Sequence, residues 1–170
     1  MLLLVMRGWG LALQEIAVAA ARDPRALPAL ARFTWVVGIA TSAVTGLLAA
    51  TPLAALYLDH IVGTPPSLRE LALQGIGVGV LLPLLTALAS WARGLLVAAE
   101  RTRQVYRGMA VGLAAQAALL AGGVAADLPG MWVASGAFTL AALAEFGYLR
   151  RAVALAKIPA TVETPATVAR

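Results

Sequence analysis

The chain has 170 residues, of which 61% are hydrophobic and 12% charged, with a formal net charge of +5 and an isoelectric point near 10.7. A water-soluble domain is nearer a quarter charged, and one of this size has too little interior to hide so much apolar surface, so composition excludes an ordinary soluble globular protein. The absence of cysteine excludes disulfides and thiolate metal sites, and a single histidine, His60, excludes a histidine cluster.

Ala, Leu and Gly dominate long apolar runs, and no period-2 alternation marks strands. The fold class expected is all-α: a polytopic transmembrane helical bundle. A helix needs about 20 residues to cross roughly 30 Å of hydrocarbon. Five stretches qualify, near residues 2–21, 33–57, 71–92, 108–126 and 130–149, and together they make one transmembrane domain over 1–150. The first begins Leu2–Met6 before Arg7, an order opposite to the basic start of a cleaved signal peptide. Next comes the polar link Arg22-Asp23-Pro24-Arg25, with Pro24 placed to open a short helix. The second link, Asp59 to Glu70, contains the breakers Gly63, Pro65 and Pro66. The third span is expected to continue past Arg93 as an interfacial helix through Ala99. Asp127-Leu128-Pro129-Gly130 reads as a tight turn. Residues 151–170 form a tail, and its Thr-, Pro- and Ala-rich part from Ile158 is expected to be disordered.

Link charges alternate. Residues 22–32 carry three arginines and one aspartate, net +2; 59–70 carry one arginine and two acids, net −1. Residues 93–107 carry four arginines and one glutamate, net +3; 127–130 carry Asp127 alone; 150–170 carry four bases and one acid, net +3. Basic links face the cytoplasm. The N-terminus is therefore expected outside and the C-terminus inside, in a cell (inner or plasma) membrane. The same rule explains the net positive charge through anionic lipid, and no basic stripe interleaved with aromatics suggests nucleic acid.

Within the five spans the charged residues are Arg7, Glu15 and Glu145. Each costs about 2.5–3.5 kcal/mol at a helix centre on insertion scales. Two readings stay open: they line a substrate or proton path, or they lie near enough to an interface to reach water. Gln14, Gln74 and Gln116 suit interhelical hydrogen bonds better than ligand binding. Pro83 sits mid-span and kinks its helix, as a hinge candidate or as plain architecture. Gly75/Gly79, Gly108/Gly112 and Ser90/Gly94 place small residues four apart, a spacing that lets helices approach closely. Trp9, Trp35, Trp91 and Trp132, with Tyr57 and Tyr148, fall mostly near span ends, as interface anchors do. Ser42, Ser90 and Ser135 have no neighbouring base, and no Gly-rich phosphate loop or Asp-rich motif occurs. No catalytic residue, cofactor or metal site is expected.

One stretch is more specific. Arg93-Gly94, then Ala98 or Ala99, then Thr102-Arg103 resembles the cytoplasmic link between the fourth and fifth helices of a lobe in the multidrug/oligosaccharidyl-lipid/polysaccharide flippase superfamily, which includes the MATE exporters. Val62-Gly63-Thr64-Pro65-Pro66-Ser67-Leu68 resembles the external link between helices three and four. Gln14-Glu15, Arg22-Asp23 and Arg32-Phe33-Thr34 resemble the end of helix two and the start of helix three. The resemblance covers most of residues 10–150. It implies a six-helix lobe with both ends cytoplasmic; without its first helix such a lobe starts outside and ends inside, as the link charges require. A full member has two lobes, so the resemblance implies a fragment, a shortened product, or a half-transporter that pairs with a second lobe or a copy of itself. It also implies transport by alternating access of a small or lipid-linked substrate. On that reading Glu15, Glu145 and Gln14 are candidates for a proton or cation site, and Arg7 and Arg93 for an anionic substrate group. The rival reading is a membrane scaffold or assembly partner that transports nothing.

Overall fold

The computed structural model describes residues 12–156 apart from Arg22 and Pro24. Residues 2–11 of the first expected span, with Arg7 and Trp9, lie outside the described residues, as do Pro24 and the tail from Lys157. All elements among the described residues are helical: α1 (12–20), α2 (Leu27–Ala50), α3 (Pro52–Tyr57) running into a π-helical turn (Leu58–Val62), α4 (Pro66–Val78), α5 (Leu82–Ala98), α6 (Thr102–Ala125) and α7 (Gly130–Leu155). No helix from α2 onward starts with a side-chain cap; instead Pro28, Pro52, Pro66 and Pro83 occupy the first or second position of α2 to α5. Proline suits that slot because its missing N–H is one the helix leaves unbonded anyway.

Three helices, α2, α6 and α7, are long and apolar enough to cross a bilayer. A fourth span results if α4 and α5, which meet at 44°, count as one bent element. The expected boundaries shift accordingly. The span placed at 33–57 starts at Leu27 and splits at Thr51, which is extended (φ −116°, ψ 159°). Pro52 explains the split: its ring clashes with the preceding turn and pushes the residue before it out of the helical region. The span placed at 108–126 begins at Thr102, and that at 130–149 runs on to Leu155. Hydrocarbon thickness sets how much of a helix is apolar, whereas breakers set where it ends. The link expected from Asp59 to Glu70 narrows to residues 63–65, because residues 59–62 continue as π-helix and residues 66–70 already belong to α4. Gly63 adopts a left-handed conformation at φ +67°, which closes the π-helical turn, and Pro66 opens α4. The tight turn at Asp127 is likewise present, with Asp127 at φ 49° and the Leu128 N–H donating to the Gly123 carbonyl.

The kink assigned to Pro83 falls upstream, between Val78 and Leu82. A Pro83 ring inside an unbroken helix would strike the carbonyl four residues back, that of Gly79, so the helix ends there and restarts with Pro83 in its first turn. The break frees backbone groups that hydrocarbon cannot satisfy. The Leu82 N–H donates to the Gly79 carbonyl at 3.0 Å, and the Leu84 N–H donates to the Ser42 hydroxyl of α2 at 3.1 Å. Ser42→Ala leaves the Leu84 N–H unsatisfied between two helices, and we expect it to lower stability by about 1 kcal/mol. Thermal unfolding in detergent measures the loss; unchanged stability would mean that Leu84 has another acceptor.

Packing is inverted relative to a soluble bundle. The buried face of α2 holds Thr34, Gly38, Ser42 and Thr45, while Phe33, Trp35, Val36, Ile39 and Leu47 are exposed. Small and hydroxylated residues let helices approach; large apolar ones suit lipid. Thr34, Thr41 and Thr45 return their hydroxyl protons to carbonyls of their own helix, so none needs water. The pair Gly108/Gly112 lies against α7 as its spacing suggests: a Cβ on Gly108 would sit 2.6 Å from Leu149 Cδ2, and one on Gly112 3.2 Å from Glu145 Cβ.

One cluster joins Leu27, Leu95, Leu96, Val105, Leu149 and Val153, so the loops after α1 and α5 and the end of α7 share one end of the bundle. Arg25, Arg101, Arg103, Arg107, Arg150 and Arg151 are all exposed in these segments. Asp59, Glu70 and Asp127 belong to the links that follow α3 and α6 or open α4, at the other end, where Asp59 pairs with Arg69 at 3.3 Å. The charge alternation of the sequence is thus a separation of charge between two ends. A helical, apolar molecule of this kind fits an integral membrane protein.

Candidate functional site

The two candidate charges on α5 and α7 meet. Arg93 lies one turn after the buried Ala89, and Glu145 lies midway between Ala141 and the fully buried Leu149, at the i, i+4 spacing that keeps all three on one helix face. Arg93 Nε donates to Glu145 Oε1 at 2.9 Å, and Arg93 Nη2 donates to the same oxygen. Each side chain is only 13% exposed. Gly112 of α6 leaves room for the carboxylate: a Cβ there would lie 3.3 Å from Glu145 Oε2.

A buried charge is tolerated when a partner and hydrogen bonds repay its desolvation, and the guanidinium supplies both at once. This placement changes the expectation for both residues. Glu145 is not an unpaired charge, and Arg93 is not a free cation awaiting an anion; each is the other's first partner. Oε2 of Glu145 and Nη1 of Arg93 take no hydrogen bond with any described residue.

Those two atoms belong to residues that line an open trough of about 400 Å³. It exists because α7 packs along both α5 and α6, while α5 and α6 scarcely touch each other. Ala141 and Ala142 of α7 form its floor, Thr86 of α5 and Met109 and Gln116 of α6 its walls. Thr86 is a site residue that the sequence reading missed, and Gln116 is one it assigned to interhelical bonding instead. The available signal was spacing: Gln116 follows Gly112 by four residues, and Gly112 is the residue that faces Glu145.

The remaining candidates are elsewhere. Glu15 is exposed and Gln14 half-buried on α1, where with Val18 and Ala19 they edge a separate shallow hollow. Glu15 forms no ion pair with any described residue. Gln14 matters through its backbone, whose carbonyl oxygen lies against Gly94 of α5. Gln74 behaves as an interhelical amide, accepting the Trp132 Nε1–H at 2.9 Å, and Gln104 accepts the Tyr148 hydroxyl proton at 2.7 Å. The side chains of Ser90, fully buried, and of Trp91 each keep one polar atom without a partner. Among the described residues no group of three or more His, Asp or Glu side chains is arranged to hold a metal ion. Comparison of the chain with protein-family models, curated proteins and solved structures finds no match.

Proposed function

We propose that this chain is one lobe of a flippase-like transporter of the inner or plasma membrane, acting against a second lobe or a second copy of itself by alternating access. The observation that carries the reading is the Arg93–Glu145 pair, held inside the bundle at an open trough whose α5 wall begins at a helix break. Ionisable groups at membrane depth are costly, and they accompany substrate or proton routes more often than plain architecture. Broken helices in transporters likewise lie where a substrate or ion is handled. In this reading the arginine-rich end faces the cytoplasm, Glu145 belongs to the proton or cation site, and Arg93 is its resident partner, displaced when the ion or substrate binds. Glu15 and Gln14, on α1, remain the further candidates for a proton or cation site. No residue is assigned a catalytic role.

Proteoliposomes loaded with a pH-sensitive dye and given a proton gradient test the proposal, with efflux of an organic cation such as ethidium and movement of a fluorescent lipid as parallel readouts. The expected result is flux in at least one arm that Glu145→Gln reduces by about tenfold or more at unchanged insertion. No flux in any arm, or flux indifferent to both Glu145→Gln and Glu15→Gln, overturns it. The rival, a scaffold that transports nothing, is favoured by one observation: Arg93 and Glu145 already engage each other. It predicts loss of folding without any flux to lose.

A further inference from the structure

The trough is lopsided in polarity. From Leu82 to Arg93 its α5 wall spans eleven residue steps, about 16 Å. The Leu82 end is bounded by apolar side chains, among them Phe138, and the other end by the Arg93–Glu145 pair. The pair lies one and a half turns inside the arginine-rich end: Arg107 precedes Gly112 by five residues, and Arg150 follows Glu145 by five. Arg93 Nη1 and Glu145 Oε2, which take no hydrogen bond from or to a described residue, therefore belong to side chains lining a space whose other lining is apolar apart from Thr86 and Gln116. The first seeks an acceptor and the second a donor.

We propose that the trough holds one anionic glycerophospholipid of the phosphatidylglycerol type, drawn from the leaflet at the arginine-rich end. Its phosphodiester oxygen accepts from Arg93 Nη1, and a glycerol hydroxyl donates to Glu145 Oε2. One acyl chain lies along Ala142, Leu113 and Phe138 toward Leu82. Charge selects the class. The pair itself is neutral, so it contributes hydrogen bonds of both senses, while the exposed Arg101, Arg103, Arg107, Arg150 and Arg151 supply the field that favours a net anion over a zwitterion. The orientation is the one a lipid already has in that leaflet, with headgroup toward the basic end and chain toward the middle of the bilayer. The inference stands apart from transport, because a lipid bound here serves a scaffold as well as a transporter.

Native mass spectrometry of the full chain released from micelles containing equal amounts of phosphatidylglycerol, phosphatidylethanolamine and phosphatidylcholine tests the site. Wild type should retain one phosphatidylglycerol in preference to phosphatidylcholine by about tenfold. Ala110→Trp places an indole at an exposed wall position without touching the core, and should abolish that preference while thermal stability is kept. The variant Arg103→Gln, Arg107→Gln, Arg150→Gln, Arg151→Gln should lose the discrimination between headgroups yet still retain a lipid, whereas Arg93→Gln with Glu145→Gln should lower the retention of phosphatidylglycerol. Soluble glycerophosphoglycerol in excess should not displace the lipid; displacement would assign the site to a free phosphodiester instead and overturn the proposal. Equal retention of the three lipids by wild type, preference for phosphatidylethanolamine, or an Ala110→Trp variant that still selects phosphatidylglycerol would also overturn it.

Discussion

Glu145→Ala is expected to be among the most destabilising single substitutions available in this chain, at about 3–5 kcal/mol, because it strands the Arg93 guanidinium in a place where only 13% of the side chain reaches the outside. The cost is that of the orphaned charge rather than of a lost attraction. The pair's net contribution is far smaller, since desolvating both groups offsets most of what their contact returns. It follows that Arg93→Met combined with Glu145→Leu should recover most of the loss, with a coupling of about 2–3 kcal/mol in a double-mutant cycle. Unfolding in mixed micelles, followed by helical circular dichroism, measures all four corners. Should Glu145→Ala unfold at the wild-type point, Arg93 has access to water and the trough is wetter than its lining suggests. The same cycle bears on the transport reading. A transporter tolerates a double variant that folds but carries no flux, whereas a scaffold keeps its assembly role in that variant.

The second large effect concerns α1. A Cβ on Gly94 would stand 2.5 Å from Ala17 Cβ and 2.7 Å from the Gln14 carbonyl oxygen. Neither can rotate aside, since an alanine Cβ and a carbonyl of a helical backbone are both fixed by the main chain. Any larger residue therefore has to push the whole of α1 away from α5. Gly94→Val is expected to cost about 3 kcal/mol or more, at the upper end of overpacking, and to act locally. Hydrogen exchange in residues 12–20 should rise to that of an undocked helix, while α6 and α7, which are held by their own glycine contacts, keep their protection. Unchanged protection of α1 would show that it is not docked through Gly94. The result also decides whether Gln14 and Glu15 can belong to any common surface, because they ride on this helix.

How legible the molecule was depends on the kind of information each feature needs. The helical, apolar character of the chain is carried by composition and run length, which require no knowledge of neighbours. Turns were equally plain at Gly63, Pro65-Pro66 and Asp127–Gly130, since a left-handed residue or a missing N–H acts within a few bonds. Helix ends were less so. A window of apolar residues reports the bilayer's thickness, and α6 and α7 simply continue beyond it until something stops them. Pro83 shows the limit of a local rule applied alone: the residue marks the break, but the clash acts on a carbonyl one turn earlier, so the bend appears at Gly79–Leu81.

What the amino-acid order determined by itself, then, is the helical, apolar character of the chain, the order and approximate place of the helices among the described residues, and the alternation of loop charge. The meeting of Arg93 with Glu145, fifty-two positions apart, was decided only by the tertiary structure, as were the trough beside them, the Ser42 hydroxyl that satisfies Leu84, and the seat of Ala17 on Gly94. The reason is physical. Local propensities act through bonds and one turn of helix, whereas pairing across helices depends on which faces turn toward each other, and small residues at 94, 108 and 112 permit that closeness without naming the partner.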